Sequence, residues 1–243
     1  MRALREIAET PYARHVVAKY TVAGTYTLAI PPGRYHITIV GGGGGAATVG
    51  ITTEVRASSV VGKWGYATGG GGALAYGDIL VSESVEASVI VGAGSQGSAM
   101  SVVYDTAKDG GTSIGKAGNS SISFGGLTEE MGGGNSTYVL VSVTSTGTVS
   151  TRSGSGGGAV KHQLEGFTVI GGNYGTMSNT PISEFTDGES GVVQGSAAGG
   201  GNVPIELGDA GRGGEVEWGY SDGVLTFSGG DGRDGAVLVE RIG

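Results

Sequence analysis

The feature that most constrains this chain is its glycine runs, at residues 41–45, 69–72, 132–134, 156–158 and 199–201. A tight turn needs one or two glycines, so runs of three to five call for another explanation. Left-handed extended helices with three residues per turn pack side by side when no side chain stands between them, as glycine permits at the axis of collagen. The strict third-residue glycine of collagen is absent, so the runs imply short helices bundled within one chain and linked by loops or strands. Val at Gly43 or Gly157 is then expected to disrupt folding, by steric clash and by loss of positive-φ freedom.

Glycine makes up 53 of 243 residues, which approaches the composition of disordered chains. Recurring strand-like runs argue against disorder: "YHITIV", "ASVIV", "TYVLVSV" and "GAVLVE" are apolar and β-branched. Period-two alternation covers 16–40, interrupted by "PPG", and residues 51–62. Shorter strands are expected at 101–105 and 120–124, with two or three more in 137–170 and three closing the chain at "EVEW", "VLTF" and "AVLVERI". Helical spacing is confined to Leu4, Ile7 and Ala8, ahead of Thr10-Pro11. The expected fold class is all-β, with an N-terminal arm or short helix at 1–16 and a single glycine-rich β domain at 17–243.

Several function classes are disfavoured. There is no cysteine, hence no disulfide framework, thiolate nucleophile or cysteine zinc site. Residues 184–243 carry the whole net charge of −8, which speaks against a nucleic-acid partner. No apolar run approaches a membrane span, and the first sixteen residues lack the apolar core of a secretory signal, so assembly in a cytoplasm and no membrane insertion are expected.

Three motifs read as coincidences of composition. Gly92–Gly97, "GAGSQG", matches a dinucleotide fingerprint, but "SAMSVVYD" follows it where a helix would be needed. "GGTSIGKAG" matches a phosphate loop except that Ala117 stands in place of the hydroxyl that would hold Mg²⁺. "GGDGRDGAV" resembles one calcium-binding nonapeptide, without the stacked repeats such sites need. His15, His36 and His162 have no partner at ligand spacing, so neither a metal nor a cofactor is expected. Glu129/Glu130, Asp187/Glu189 and Asp231/Asp234 are close carboxylate pairs, and a glycosidase would require one pair to converge across a bond.

Aromatic residues sit beside glycine in "KWGYATGG", "GGNYGT" and "EWGYSDG". Large rigid side chains on mobile backbone suit recognition, which makes Trp64, Tyr66, Asn173, Tyr174 and Tyr220 the candidate receptor-binding residues. The competing reading is core, because Val216, Trp218 and Tyr220 share one face of a strand.

In order along the chain, "YTVAGTYTLAIPPGRYHITIVGGGGGA", "GGGGALAYGDILVSESVEASVIVGAG", "GGTSIGKAGNSSISFGG" and "GGDGRDGAVLVERIG" resemble the glycine-rich domains of bacteriophage tail fibre and tail-tip proteins. The pattern is also similar to the glycine-rich extracellular domain of some receptor tyrosine kinases, a jelly-roll sandwich carrying a glycine-helix bundle. The resemblance implies a jelly-roll-like β-sandwich with glycine-rich loops or short polyglycine II helices. It further implies a homotrimeric virion protein at the distal end of a phage fibre, joined to other tail proteins through 1–16 and binding a protein or glycan receptor on the bacterial surface. A structural virion protein of tail, neck or head is the alternative, and a polysaccharide-degrading spike a third. No catalytic residue is carried over.

Overall fold

The computed structural model describes residues 13–52, 63–103, 110–113, 115–135, 137–142, 148–181, 186–222 and 224–243. Among these the chain is nearly all β, with strands numbered β1–β20 in chain order. One end is a sandwich of two five-stranded antiparallel sheets. The first runs β1 (Arg14–Tyr20), β20 (Ala236–Ile242), β3 (Gly33–Val40), β6 (Leu74–Val81), β15 (Thr168–Ile170). The second runs β14 (Ala159–His162), β11 (Leu127–Met131), β10 (Ser120–Phe124), β7 (Val85–Val91), β2 (Gly24–Ile30). Alternation in "YHITIV" turns Tyr35, Ile37 and Ile39 inward, where they meet Val89, Ile122, Met131 and Val237 in a common core. Strands flanking "PPG" belong to different sheets, so that stretch crosses the sandwich instead of making a hairpin.

Ten segments, extended except at Ala198, which opens a 3-10 turn, and at Gly211, with φ of 68°, leave this sandwich or return to it: 41–46, 68–73, 92–97, 115–119, 132–137 (residue 136 lying outside the described residues), 153–158, 171–176, 194–198, 211–215 and 230–235. They run alternately away from the sandwich and back, and none is paired in a strand ladder. Their hydrogen bonds repeat every third residue. Gly41 and Gly44 donate to Ala73 and Gly70; Gly43 and Ala46 donate to Arg233 and Gly230; Gly42 donates to Gly118. Three residues per turn with all bonds made to neighbouring segments is polyglycine II geometry.

The segments pack hexagonally. Segment 41–46 exchanges backbone bonds with 68–73, 92–97, 115–119, 132–137, 211–215 and 230–235, which surround it. Segment 68–73 is likewise surrounded, by 41–46, 132–137, 153–158, 171–176, 194–198 with Gly199, and 211–215. The ten therefore form three rows, in spatial order 115–132–153, then 92–41–68–171, then 230–211–194.

Each row continues into its own sheet at the far end. The middle row becomes β16 (Met177–Pro181), β5 (Lys63–Ala67), β4 (Ala47–Thr52), β8 (Ser98–Val103), with β4 and β8 parallel. The outer rows become β13 (Thr148–Arg152), β12 (Tyr138–Ser142), β9 (Gly110–Ser113) and β17 (Ser190–Val193), β18 (Val216–Ser221), β19 (Val224–Gly229). These outer sheets pack on opposite sides of the four-stranded one.

Four expectations are corrected. Run 199–201 is not a lattice segment: it forms a tight turn in which Gly199, Gly200 and Gly201 have φ of 50°, 62° and 89°. Gly43 and Gly157 are not among the positive-φ glycines, so close approach alone requires glycine there. Of the expected arm, residues 1–12 lie outside the described residues, whereas Arg14 to Val16 belong to β1 and pair with β20. Region 137–170 holds four strands, one more than expected.

Candidate functional site

The candidate aromatics separate into two groups. Trp64 is only 2% exposed and donates through Nε1 to Thr48 Oγ1 at 2.7 Å. Its ring lies 4.8 Å from Tyr66 and 6.0 Å from Trp218, in a second core with Val216, Leu225 and Phe227. Tyr66 and Tyr220 are half-buried against the same cluster, which fills the space between the β16-β5-β4-β8 and β17-β18-β19 sheets. Trp64 is thus a core residue and not a receptor contact, because β5 alternation points it and Tyr66 to one covered face. The core reading of Val216, Trp218 and Tyr220 holds for Val216, which is fully buried, while the two rings keep partly open edges.

Asn173 and Tyr174 lie apart from this cluster, on the lattice segment at the end of the middle row. Asn173 uses its backbone in the lattice, donating to Ala197 and accepting from Gly71. Tyr174 is 73% exposed, and its carbonyl accepts from Ser196 Oγ. The backbone is held while the ring stands in solvent, with exposed Met177 beginning the edge strand three residues on.

Of the carboxylate pairs, Asp231 and Asp234 line one cavity of about 450 Å³, whereas Glu129 and Glu130 have separate partners. Glu129 is fully buried on β11 and accepts from His162 Nδ1 at 2.6 Å and from the amides of Gln163 and Leu164, both at 3.1 Å. Its neighbour Glu130 accepts from Asn119 Nδ2, as alternation on a strand requires. Asp187 caps the Asp222 amide, and Glu189 caps that of Thr186. Asp234 accepts from Ala23 N and Gly94 N, and Asp231 from Gly97 N, so these carboxylates cap lattice ends. Sequence reasoning missed the capping role of Asp231 and Asp234, for which the signal available was acid placed beside glycines whose amides need acceptors, and the burial of Glu129.

The motif look-alikes are structural too. A Cβ on Gly92 would sit 2.2 Å from Gly118 O, and one on Gly94 2.0 Å from Gly232 O, so "GAGSQG" is glycine-rich because backbone packs against it. Ala117 and Gly118 of the phosphate-loop look-alike bond to Gly134 and Ala93. His36 Nδ1 meets Asp78 Oδ1 at 2.6 Å on the outer face of the first sheet, and His15 is exposed on β1.

What the geometry does bring together is one end face. The chain leaves β4 at Thr52, β8 at Val103, β12 at Ser142 and β16 at Pro181, and re-enters β5 at Lys63, β9 at Gly110 and β13 at Thr148. Registers Thr52 with Val103, Lys63 with Pro181 and Gly110 with Val141 put all of these at the end remote from the lattice. Arg14, paired with Ile242, lies at the opposite extremity. No protein-family model matches the chain, and no curated protein matches it significantly.

Proposed function

We propose that the chain is a bacteriophage tail fibre or tail-tip adhesin that binds the host cell surface. The observation that supports this most is polarity. A sandwich holds Arg14 and Gly243 at one end, a hydrogen-bonded lattice spans the middle, and the strand ends Thr52, Val103, Ser142 and Pro181 lie together at the other. Binding segments on a rigid scaffold are the common arrangement for recognition. The resemblance to glycine-rich fibre-tip domains adds the expected location, the virion, and the expected partners. These are other tail proteins on the side of residues 1–16 and a bacterial protein or glycan at the far end.

Labelled protein added to cells that a phage encoding this chain infects should decorate them and block adsorption. Tyr174→Ala should weaken both while Trp64→Phe leaves both intact. Absence of any decoration would favour the second reading, a structural virion protein, which the lattice supports as a stiff spacer. A depolymerase ranks third: Asp231 and Asp234 line one cavity, but both already accept backbone amides, from Gly97 and from Ala23 and Gly94. The resemblance also implies three copies. Edge strands β1 and β14 each carry an irregularity, at Val16/Ala18 and opposite Glu130/Met131, which disfavours pairing between copies along those two edges. Light scattering at micromolar concentration reads this directly: a monomer removes the trimer.

A further inference from the structure

The outer row 230–211–194 carries the loop 202–210 on its flank, and three cavities of about 450, 260 and 280 Å³ open around Asp209 of that loop. The second of them is lined by Gly213 and Gly230, whose amides donate to Ser196 and Glu215, and by the side chains of Asp209, Arg212, Glu215, Asp231 and Arg233. Arg212 is held in place, with Nη1 3.1 Å from Asp209 Oδ1 and Nη2 2.5 Å from Gln194 Oε1. Glu215 and Arg233 bear side chains with no bonding partner among the described residues, so one acceptor and one donor stand ready on adjacent segments.

We propose that this groove binds an uncharged or amine-bearing oligosaccharide. A sugar hydroxyl both donates and accepts, and the walls offer carboxylate acceptors and guanidinium donors within one small space. An apolar ligand would meet only charged walls. Three acids against two arginines disfavour an anionic ligand such as nucleic acid or a uronic-acid polymer. The proposal rests on the adhesin reading only for the bacterial source of the sugar.

The test uses ¹⁵N-labelled full chain titrated with N-acetylchitotetraose, with its deacetylated tetramer and with tetragalacturonate as neutral, cationic and anionic probes. Saturable shifts of the Gly213 and Gly230 amides are expected with one or both of the first two and not with the third. Glu215→Gln and Arg233→Ala should each weaken the response at least about tenfold, as loss of a charged hydrogen bond would, while the other amides keep their positions. No shift with any probe, equal shifts with the anion, or shifts unchanged in both variants would overturn the groove. Cell decoration measured on the same samples separates the two readings. Decoration without shifts removes the groove and leaves the adhesin; shifts without decoration keep the groove and remove the adhesin.

Discussion

A Cβ on Gly43 would lie 1.8 Å from Arg212 O, with the carbonyl carbon 2.4 Å away, and neither atom can yield without moving a second segment that is itself bonded. Gly158 has nothing within 4 Å of its Cβ position and lies outside the positive-φ set. Two glycines read alike in the sequence are therefore opposite in the structure. Gly43→Ala should cost at least about 3 kcal/mol. Gly158→Ala should be neutral or stabilise by about 0.4–1 kcal/mol, by removing unfolded-state entropy. Urea unfolding of both variants checks this, and similar midpoints would mean the lattice yields to a methyl group. The same scale decides Trp64: as a buried ring bonded to Thr48, its replacement by Ala should cost about 3–5 kcal/mol, a loss of stability visible without any receptor. Its place was legible, since Trp64 and Tyr66 are two apart in a stretch that alternates. Glycine neighbours pointed instead to a loop, because composition does not distinguish glycine that frees a backbone from glycine that lets another backbone in.

The two longest glycine runs, 41–45 and 69–72, are the two segments enclosed on every side. An enclosed segment has no direction in which a side chain can point, whereas an outer one, such as 92–97, needs glycine only on inward positions and carries Ala93, Ser95 and Gln96 elsewhere. Run length thus encodes depth in the lattice, and the bundle itself was legible from it. The rows were not, because hexagonal order depends on which distant segments meet, and outer segments such as 92–97 and 115–119 carry no run at all. Strands with strong alternation, such as β3, β10 and β20, emerged where periodicity placed them. β9, "GGTS", and β17, "SGVV", did not, since glycine erases the pattern that marks a strand. A bonded, enclosed segment should behave like regular secondary structure in hydrogen exchange. Amides of Gly41, Gly42, Gly43 and Gly44, each bonded to a neighbouring segment, should exchange as slowly as those of β3. The amide of Asp231, with no bond among the described residues, should exchange fast. Rapid exchange at Gly43 would mean that the lattice breathes independently of the sandwich.

At the scale of the whole molecule, the two-sheet sandwich and the three-sheet end share no linker, because nearly every strand of one reaches the other through a lattice segment. Hinge motion between them would require breaking bonds in all three rows together, so the two ends should unfold as one body. The chain supplies its own reporters for this. Both tryptophans, Trp64 and Trp218, sit in the core of the three-sheet end, while Ile37, Ile39 and Ile122 sit in the core of the sandwich. Tryptophan fluorescence and isoleucine methyl resonances followed through one urea titration should trace coincident transitions. Gly43→Ala, which touches neither core, should shift both midpoints equally, since the strain enters at a segment bonded to both halves. A fluorescence transition that precedes the methyl transition would show the far end to be a separately stable module and the lattice a joint. A mechanically continuous body would carry load from one end to the other; a jointed one would not.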